Sequence, residues 1–233
     1  MRASRRVAPF VLLGLLILLS AGAIVFSLDT APPIAQQELQ IAARDTSAAR
    51  SFVLEYNIRT FDAYTSSGSR AKKPVETGVA TAEFTYQSPD RLFQVRNQNG
   101  VVISVLVIGN KQYERMGTGR WSALPSPKST TSVGAQLTGQ LLSVLDPMKD
   151  ANSVVRSGGT YRFSPDKQDP FIKNLFGTSA LLSNVRFSAA LSGGLVKDEG
   201  ISAVGSGTLY ELDFSFSLIG SAPPVVTPAG FRS

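Results

Sequence analysis

From Ser51 onward the chain alternates apolar and polar side chains with a period of two. Phe52, Leu54, Tyr56 and Ile58 fall on one side of a strand, and Val53, Glu55, Asn57 and Arg59 on the other. Gly78 to Ser88 repeats the pattern with Ala80, Ala82, Phe84 and Tyr86. Pro89-Asp90 then supplies a turn into Arg91 to Gln98, which carries Leu92, Phe93 and Val95. Asn99-Gly100 suits a type I′ hairpin turn, whose two central residues both need positive φ, and Val101 to Ile108 follows as a nearly continuous apolar strand. Gly109-Asn110 turns the chain again into Lys111 to Met116. Ser51 to Met116 therefore predicts an antiparallel meander of about five strands.

Elsewhere the period changes. Ile34 to Ala49, entered through Pro32-Pro33, predicts a short helix with a thin apolar stripe of Ile34, Leu39, Ile41 and Ala42. Thr65 to Thr77 holds Ser66-Ser67-Gly68-Ser69 and Lys72-Lys73-Pro74, a composition too polar to bury, and predicts a surface loop. Leu124 to Lys128 is rich in Pro and Ser. Ser132 to Leu145 then spaces Val133, Leu137, Leu141, Val144 and Leu145 as an amphipathic helix that Asp146-Pro147 should stop. Val154 to Phe163 predicts a strand, and Pro170 to Leu182 a second helix with Phe171, Leu175 and Leu182 on one side. Strand alternation returns in Val185 to Leu191, in Leu195 to Val204, and in Tyr210, Leu212, Phe214, Phe216 and Leu218. The order helix, strands, two helices, strands is that of an α+β domain with one large antiparallel sheet.

The N-terminus is of another kind. Val7 to Leu28 is an uncharged run of 22 residues, and a helix of that length, about 33 Å, matches a hydrocarbon core of about 30 Å. Arg2, Arg5 and Arg6 precede it and the first charge after it is Asp29, so the positive-inside bias keeps residues 1–6 in the cytoplasm and puts residues 29–233 outside. We read residues 7–28 as an uncleaved signal anchor. The alternative is a signal peptide cut after Ala23, within the small-residue stretch Ala21-Gly22-Ala23, which would secrete the same domain.

Charge and composition narrow the chemistry. Of 23 basic and 17 acidic residues, three arginines lie before the anchor, leaving 20 against 17, too weak an excess for a nucleic-acid surface. The chain has no cysteine and no histidine, which removes disulfides, thiolate catalysis, a lipid-modified N-terminal cysteine and the commonest general base and metal ligand. Gly117-Thr118-Gly119 and Gly205-Ser206-Gly207 lack a third glycine and a following helix, so they are turns and not phosphate cradles. Ser164-Pro165-Asp166-Lys167 and Ser69-Arg70-Ala71-Lys72 match S-x-x-K without the companion K-T-G. Asp146, Asp150, Asp166, Asp169, Asp198 and Glu199 sit beside Pro and Gly without calcium-loop spacing. No enzyme activity, cofactor or metal is expected. What remains is a surplus of aromatic residues on strands: Phe84, Tyr86, Phe93, Trp121, Phe214 and Phe216. Strand pattern alone favours these as packed core. The other reading is that a curved sheet under few helices leaves an apolar cavity for an acyl chain.

Tyr86-Gln87-Ser88-Pro89-Asp90-Arg91-Leu92, Val107-Ile108-Gly109-Asn110-Lys111-Gln112-Tyr113, Trp121, and a terminal strand ending in Val225-Val226-Thr227-Pro228 together resemble the LolA-like superfamily of periplasmic lipoprotein carriers and actinobacterial lipid-shuttling lipoproteins. The resemblance spans most of residues 34–230. It implies an incomplete, strongly curved antiparallel half-barrel whose concave face is covered by two or three helices and encloses a hydrophobic cavity. The implied function is binding and transfer of lipid or lipoprotein acyl chains in the bacterial envelope, with the six aromatics as candidate lipid contacts. Two departures stand out: there is no lipid-attachment cysteine, and the N-terminus is long and apolar. Both favour a tethered domain for carriage or sensing. The alternative from a different class is an envelope scaffold or sensor with a filled core that recognises a protein partner.

Overall fold

The computed structural model describes residues 34–64, 70–98, 100–125, 132–164, 170–171, 182–205, 207–229 and 231. The predicted cytoplasmic flank, residues 1–6, and the anchor, residues 7–28, lie outside them. Among the described residues no helix is long and apolar enough to cross a membrane.

Among the described residues eleven strands form one antiparallel sheet. They are β1 (Ser51–Tyr64), β2 (Arg70–Gln87), β3 (Arg91–Gln98), β4 (Val101–Ile108), β5 (Lys111–Met116), β6 (Ser122–Leu124), β7 (Asn152–Ser157), β8 (Thr160–Ser164), β9 (Leu182–Ser192), β10 (Leu195–Gly205) and β11 (Thr208–Ser217). Their spatial order is β6-β5-β4-β3-β2-β1-β11-β10-β9-β8-β7, so the first and last strands pair in the middle and β6 and β7 remain open edges. The expected meander is present, with β1 and β2 joined over ten residue pairs before the first irregularity. At about 4.8 Å per strand a flat sheet of this size would extend for about 48 Å. Yet one continuous core holds Leu92 and Val107 of one wing with Val154 and Phe163 of the other. The sheet therefore curls around what it packs against, and that face is concave.

What it packs against are α1 (Ile34–Ser47), α2 (Val133–Leu142), a 3₁₀ turn over Ser143–Leu145, and α3 (Asp146–Lys149). α1 touches β7, β10 and α3, and α2 touches β3 and β4. The buried stripe of α1 is Leu39, Ala42, Ala43 and Thr46, a helical i, i+3, i+4, i+7 set. Ile34 and Ile41 are outside it, 77% and 55% exposed. Polar contacts at Glu38, Gln40 and Thr46 fix this helix. The Thr46 hydroxyl accepts a hydrogen bond from the Val196 amide at 2.9 Å, and Glu38 accepts from the Tyr161 hydroxyl at 2.7 Å and from Arg156 at 3.1 Å. α2 begins with Ser132 capping the Ala135 amide. Gly134 lies against the Asp90 backbone, where any Cβ would clash, so the helix start can rest on the turns at either end of β3 and β4.

Several expectations change. The polar stretch from Arg70 to Thr77 continues β2 instead of forming a loop, because the hairpin ladder carries on past the Ala80 region, pairing Asp62 with Val75 and Phe61 with Glu76; strand pairing satisfies the backbone whether or not the side chains bury. Val154 to Phe163 is a hairpin and not one strand, since Gly158 and Gly159 both have positive φ and reverse the chain. Asp146-Pro147 does not stop the helical run, for Pro147 occupies the first turn of α3, where no amide is needed. β6 was missed altogether. Val225 to Pro228 is not a strand: β11 ends at Ser217, and the tail runs as irregular chain. Of the helix expected over Pro170 to Leu182, residues 172–181 fall outside the described residues; Pro170 and Phe171 are helical, whereas Leu182 already begins β9.

Candidate functional site

Residues paired directly across an antiparallel ladder share a face, so the register sorts the aromatics. Leu54 pairs with Phe84 and Phe216, Phe52 with Tyr86, and Tyr56 with Phe214. These side chains all point to the concave, helix-covered face. Leu92 pairs with Tyr86, which makes Leu92 inner and its neighbour Phe93 outer. Phe93 packs on Trp121 with ring centroids 6.4 Å apart. Of the six predicted contacts, Phe84, Tyr86, Phe214 and Phe216 thus stand together, whereas Phe93 and Trp121 belong to the opposite face.

The inner face is graded along the strands. At the end nearest the start of β1, Phe52 and Leu54 are fully buried, and the Phe52 ring lies 4.9 Å from Tyr86 and 5.5 Å from Phe216. This part is a filled core. Two to six residues further along β1, Tyr56 and Ile58 are only half-buried, as are Phe84 on β2, Val105 on β4 and Tyr210 on β11. Tyr56 stacks on Phe84 at 5.7 Å and tilts against Phe214 at 6.3 Å. Leu137, Leu141 and Leu142 of α2 are half-buried too. The outcome is a continuous apolar surface that begins as sealed core and ends partly open.

Few polar groups share this face. Glu199 is Phe214's partner on β10 and is buried. Arg96 lies in the row of Tyr56 and Ala82. Burial raises the pKa of the Tyr56 phenol, and the Arg96 charge opposes the rise. Tyr161 is likewise raised, by burial first and then by its hydrogen bond to the Glu38 carboxylate and that group's charge. The inner-face members that sequence reasoning missed are Tyr56, Ile58, Val105 and Arg96; the alternation Phe52, Leu54, Tyr56, Ile58 already placed two of them with the core.

Phe93 and Trp121 take part in a second feature. On the outer face a cleft of about 490 Å³ lies between Thr85, Phe93, Leu106 and Trp121 and the tail residues Pro223 to Ala229. The tail is pinned at Val225, whose amide donates to the Gln87 side-chain oxygen at 3.1 Å and whose carbonyl accepts from Arg91 at 3.1 Å. Phe231 adds an edge contact on Tyr113 at 4.9 Å. The Arg115 guanidinium lies 4.8 Å over the Trp121 ring. No three His, Cys, Asp or Glu side chains among the described residues are placed to hold a metal ion. Ser164 ends β8, but the rest of its S-x-x-K match and all of the match beginning at Ser69 except the backbone of residues 70–72 lie outside the described residues.

No protein-family model matches the chain, and no curated protein matches it. Among solved structures it is similar to LprF from Mycobacterium bovis, at 15% identity and a TM-score of 0.48, over 84% of this chain and 97% of that one. It is also similar to a DUF1329 family protein from Desulfovibrio piger, at 8% identity and a TM-score of 0.30, over 87% of this chain and 98% of the other. A third similar structure is the LolA superfamily protein NE2245 from Nitrosomonas europaea, at 12% identity and a TM-score of 0.30, over 78% and 92% of the two chains.

Proposed function

We propose that this protein binds acyl chains of lipid or lipoprotein on the open part of its inner sheet face, as an extracytoplasmic domain tethered by residues 7–28. The observation that carries the reading is the burial gradient. The same row of apolar side chains is sealed at Phe52, Leu54 and Phe216 and half-open at Tyr56, Ile58, Phe84 and Val105. Each methylene moved from water onto such a surface contributes about 0.8 kcal/mol, so a chain of several methylenes gains useful affinity without any reacting group. Carriage and sensing both begin with this step. The domain needs no cofactor for it.

The test is direct. Full-length protein purified in a mild detergent and exchanged into lipid nanodiscs should bind a fluorescent fatty acid saturably, and native mass spectrometry should retain acyl-bearing species. Failure of both would leave the filled-scaffold reading, in which the sealed half of the core extends across the whole face and recognition passes to a protein partner.

A further inference from the structure

Arg96 is one of the polar side chains, with Gln94 and Glu114, that interrupt the open part of the inner face. Arg96 lies in a cross-strand row that runs Tyr56, Ala82, Arg96, Ile103, and its neighbours Ala82 and Ile103 are 7% and 8% exposed. A guanidinium offers five donors and no acceptor, and setting one against apolar neighbours costs free energy unless acceptors meet it. None of the described residues does so. Among the described residues Arg96 has no ion-pair partner, although Glu114 and Glu199 occupy the same face, and its Nε is shut off from solvent without a hydrogen-bond partner among them.

The residue between Arg96 and Tyr56 is what brings them together. Their backbones are two strands apart, about 10 Å, and alanine at position 82 leaves the way across the sheet open to a long side chain. Tyr56 and Arg96 share one cross-strand row through Ala82, and the Tyr56 phenol registers the Arg96 charge. A guanidinium and a neutral hydroxyl can both donate, and what the pair lacks is an anionic acceptor. The next inner row toward α2 is Phe84, Gln94 and Val105, and Phe84 stacks on Tyr56. The anion-seeking pair therefore lies at the rim of the apolar surface.

We propose that the inner face takes an anionic single-chain amphiphile, its carboxylate or phosphate held between the Arg96 guanidinium and the Tyr56 hydroxyl and its acyl chain laid along Phe84 and Val105 toward α2. This rests on the reading of the inner face as an acyl-chain site, and adds the class of head group. Charge-assisted hydrogen bonds of this kind are worth about a ten- to hundredfold in affinity.

The experiment titrates the full chain in nanodiscs with hexadecanoate, hexadecanol, a lysophosphatidic acid of equal chain length, and inorganic phosphate. The wild type should bind the two anionic amphiphiles about ten- to hundredfold more tightly than the alcohol, with the tighter of the two telling carboxylate from phosphate. Arg96→Met should remove that preference while keeping the alcohol's affinity, Arg96→Lys should keep part of it, and Tyr56→Phe should lose a smaller part. Arg96→Lys and Tyr56→Phe retain the charge and the ring respectively, so one of them reports even if Arg96→Met does not fold. Equal binding of acid and alcohol to the wild type overturns the anion site and leaves the acyl site standing. A preference that survives in Arg96→Met overturns the assignment to Arg96, and inorganic phosphate binding as tightly as the lysophospholipid overturns the amphiphile. No binding of any chain overturns both readings.

Discussion

Phe84 and Phe216 flank the same residue, Leu54, on opposite sides, yet truncating them should have different consequences. Phe216 is 4% exposed and wedged against Phe52, so Phe216→Ala leaves a void in the sealed part of the core and should cost about 3–5 kcal/mol. Phe84 is half-buried and, among the described residues, has its one ring contact with Tyr56. Its loss forfeits roughly half of a buried phenylalanine's transfer energy, about 1 kcal/mol, and a ring pair of about 0.5–1 kcal/mol. With a urea m-value of about 2.5 kcal/mol/M, the midpoint should fall by roughly 1–2 M for Phe216→Ala and by roughly 0.6–0.8 M for Phe84→Ala. Titration of a fluorescent fatty acid into each folded variant supplies the second axis. Phe84→Ala should weaken binding, and Phe216→Ala should leave it nearly unchanged. Equal destabilisation of the two variants, with binding untouched in both, would show that Phe84 is ordinary core and that the open surface is not a site.

The other expectations concern the tail, the phenols and the membrane. Arg91→Ala with Gln87→Ala removes both hydrogen bonds at Val225 and should shift the emission of Trp121, the single tryptophan, to longer wavelength as the outer cleft opens; unchanged emission would mean that the tail is held by other contacts. Tyr56 and Tyr161 have folded pKa values raised above the ordinary 10.0, so the stability gained by keeping them neutral is full below pH 10.0 and is lost as the pH rises through the folded values. Urea midpoints followed across that range should fall, and a flat profile well beyond it would contradict the burial of these phenols. A reporter active only outside the cytoplasm, fused after Ser233, should be active, and cytoplasmic activity would refute the tethering orientation.

Much of the sheet could be read from the sequence, because β1, the second half of β2 and β3 alternate, β4 is a nearly continuous apolar run, and β2 to β5 are divided by short Pro-Asp, Asn-Gly and Gly-Asn turns. The helix starting at Val133 was equally readable, with its cap at Ser132. What alternation could not supply was parity between strands. Leu92 and Phe93 are adjacent, and only the pairing of Tyr86 with Leu92 decides which of them is inner. Trp121 precedes a strand of three residues, too short to carry a period, so its face was not readable either. Arg70 to Thr77 has strand backbone without strand composition, since it is paired by continuing a hairpin. Arg96 carried no signal as a candidate, for a charged residue on an apparently polar position becomes unusual only when Ala82 and Ile103 are seen beside it.

The most direct measurement is to load the full-length protein with a fatty acid bearing a photoreactive group midway along its chain, irradiate, and map the adducts by peptide mass spectrometry. Adducts on Tyr56, Phe84, Val105 and the α2 residues Leu137 and Leu141 are expected. Adducts confined to Trp121, Val226 and the other walls of the outer cleft, or none above an irradiated control lacking the acyl chain, would contradict acyl binding on the inner face.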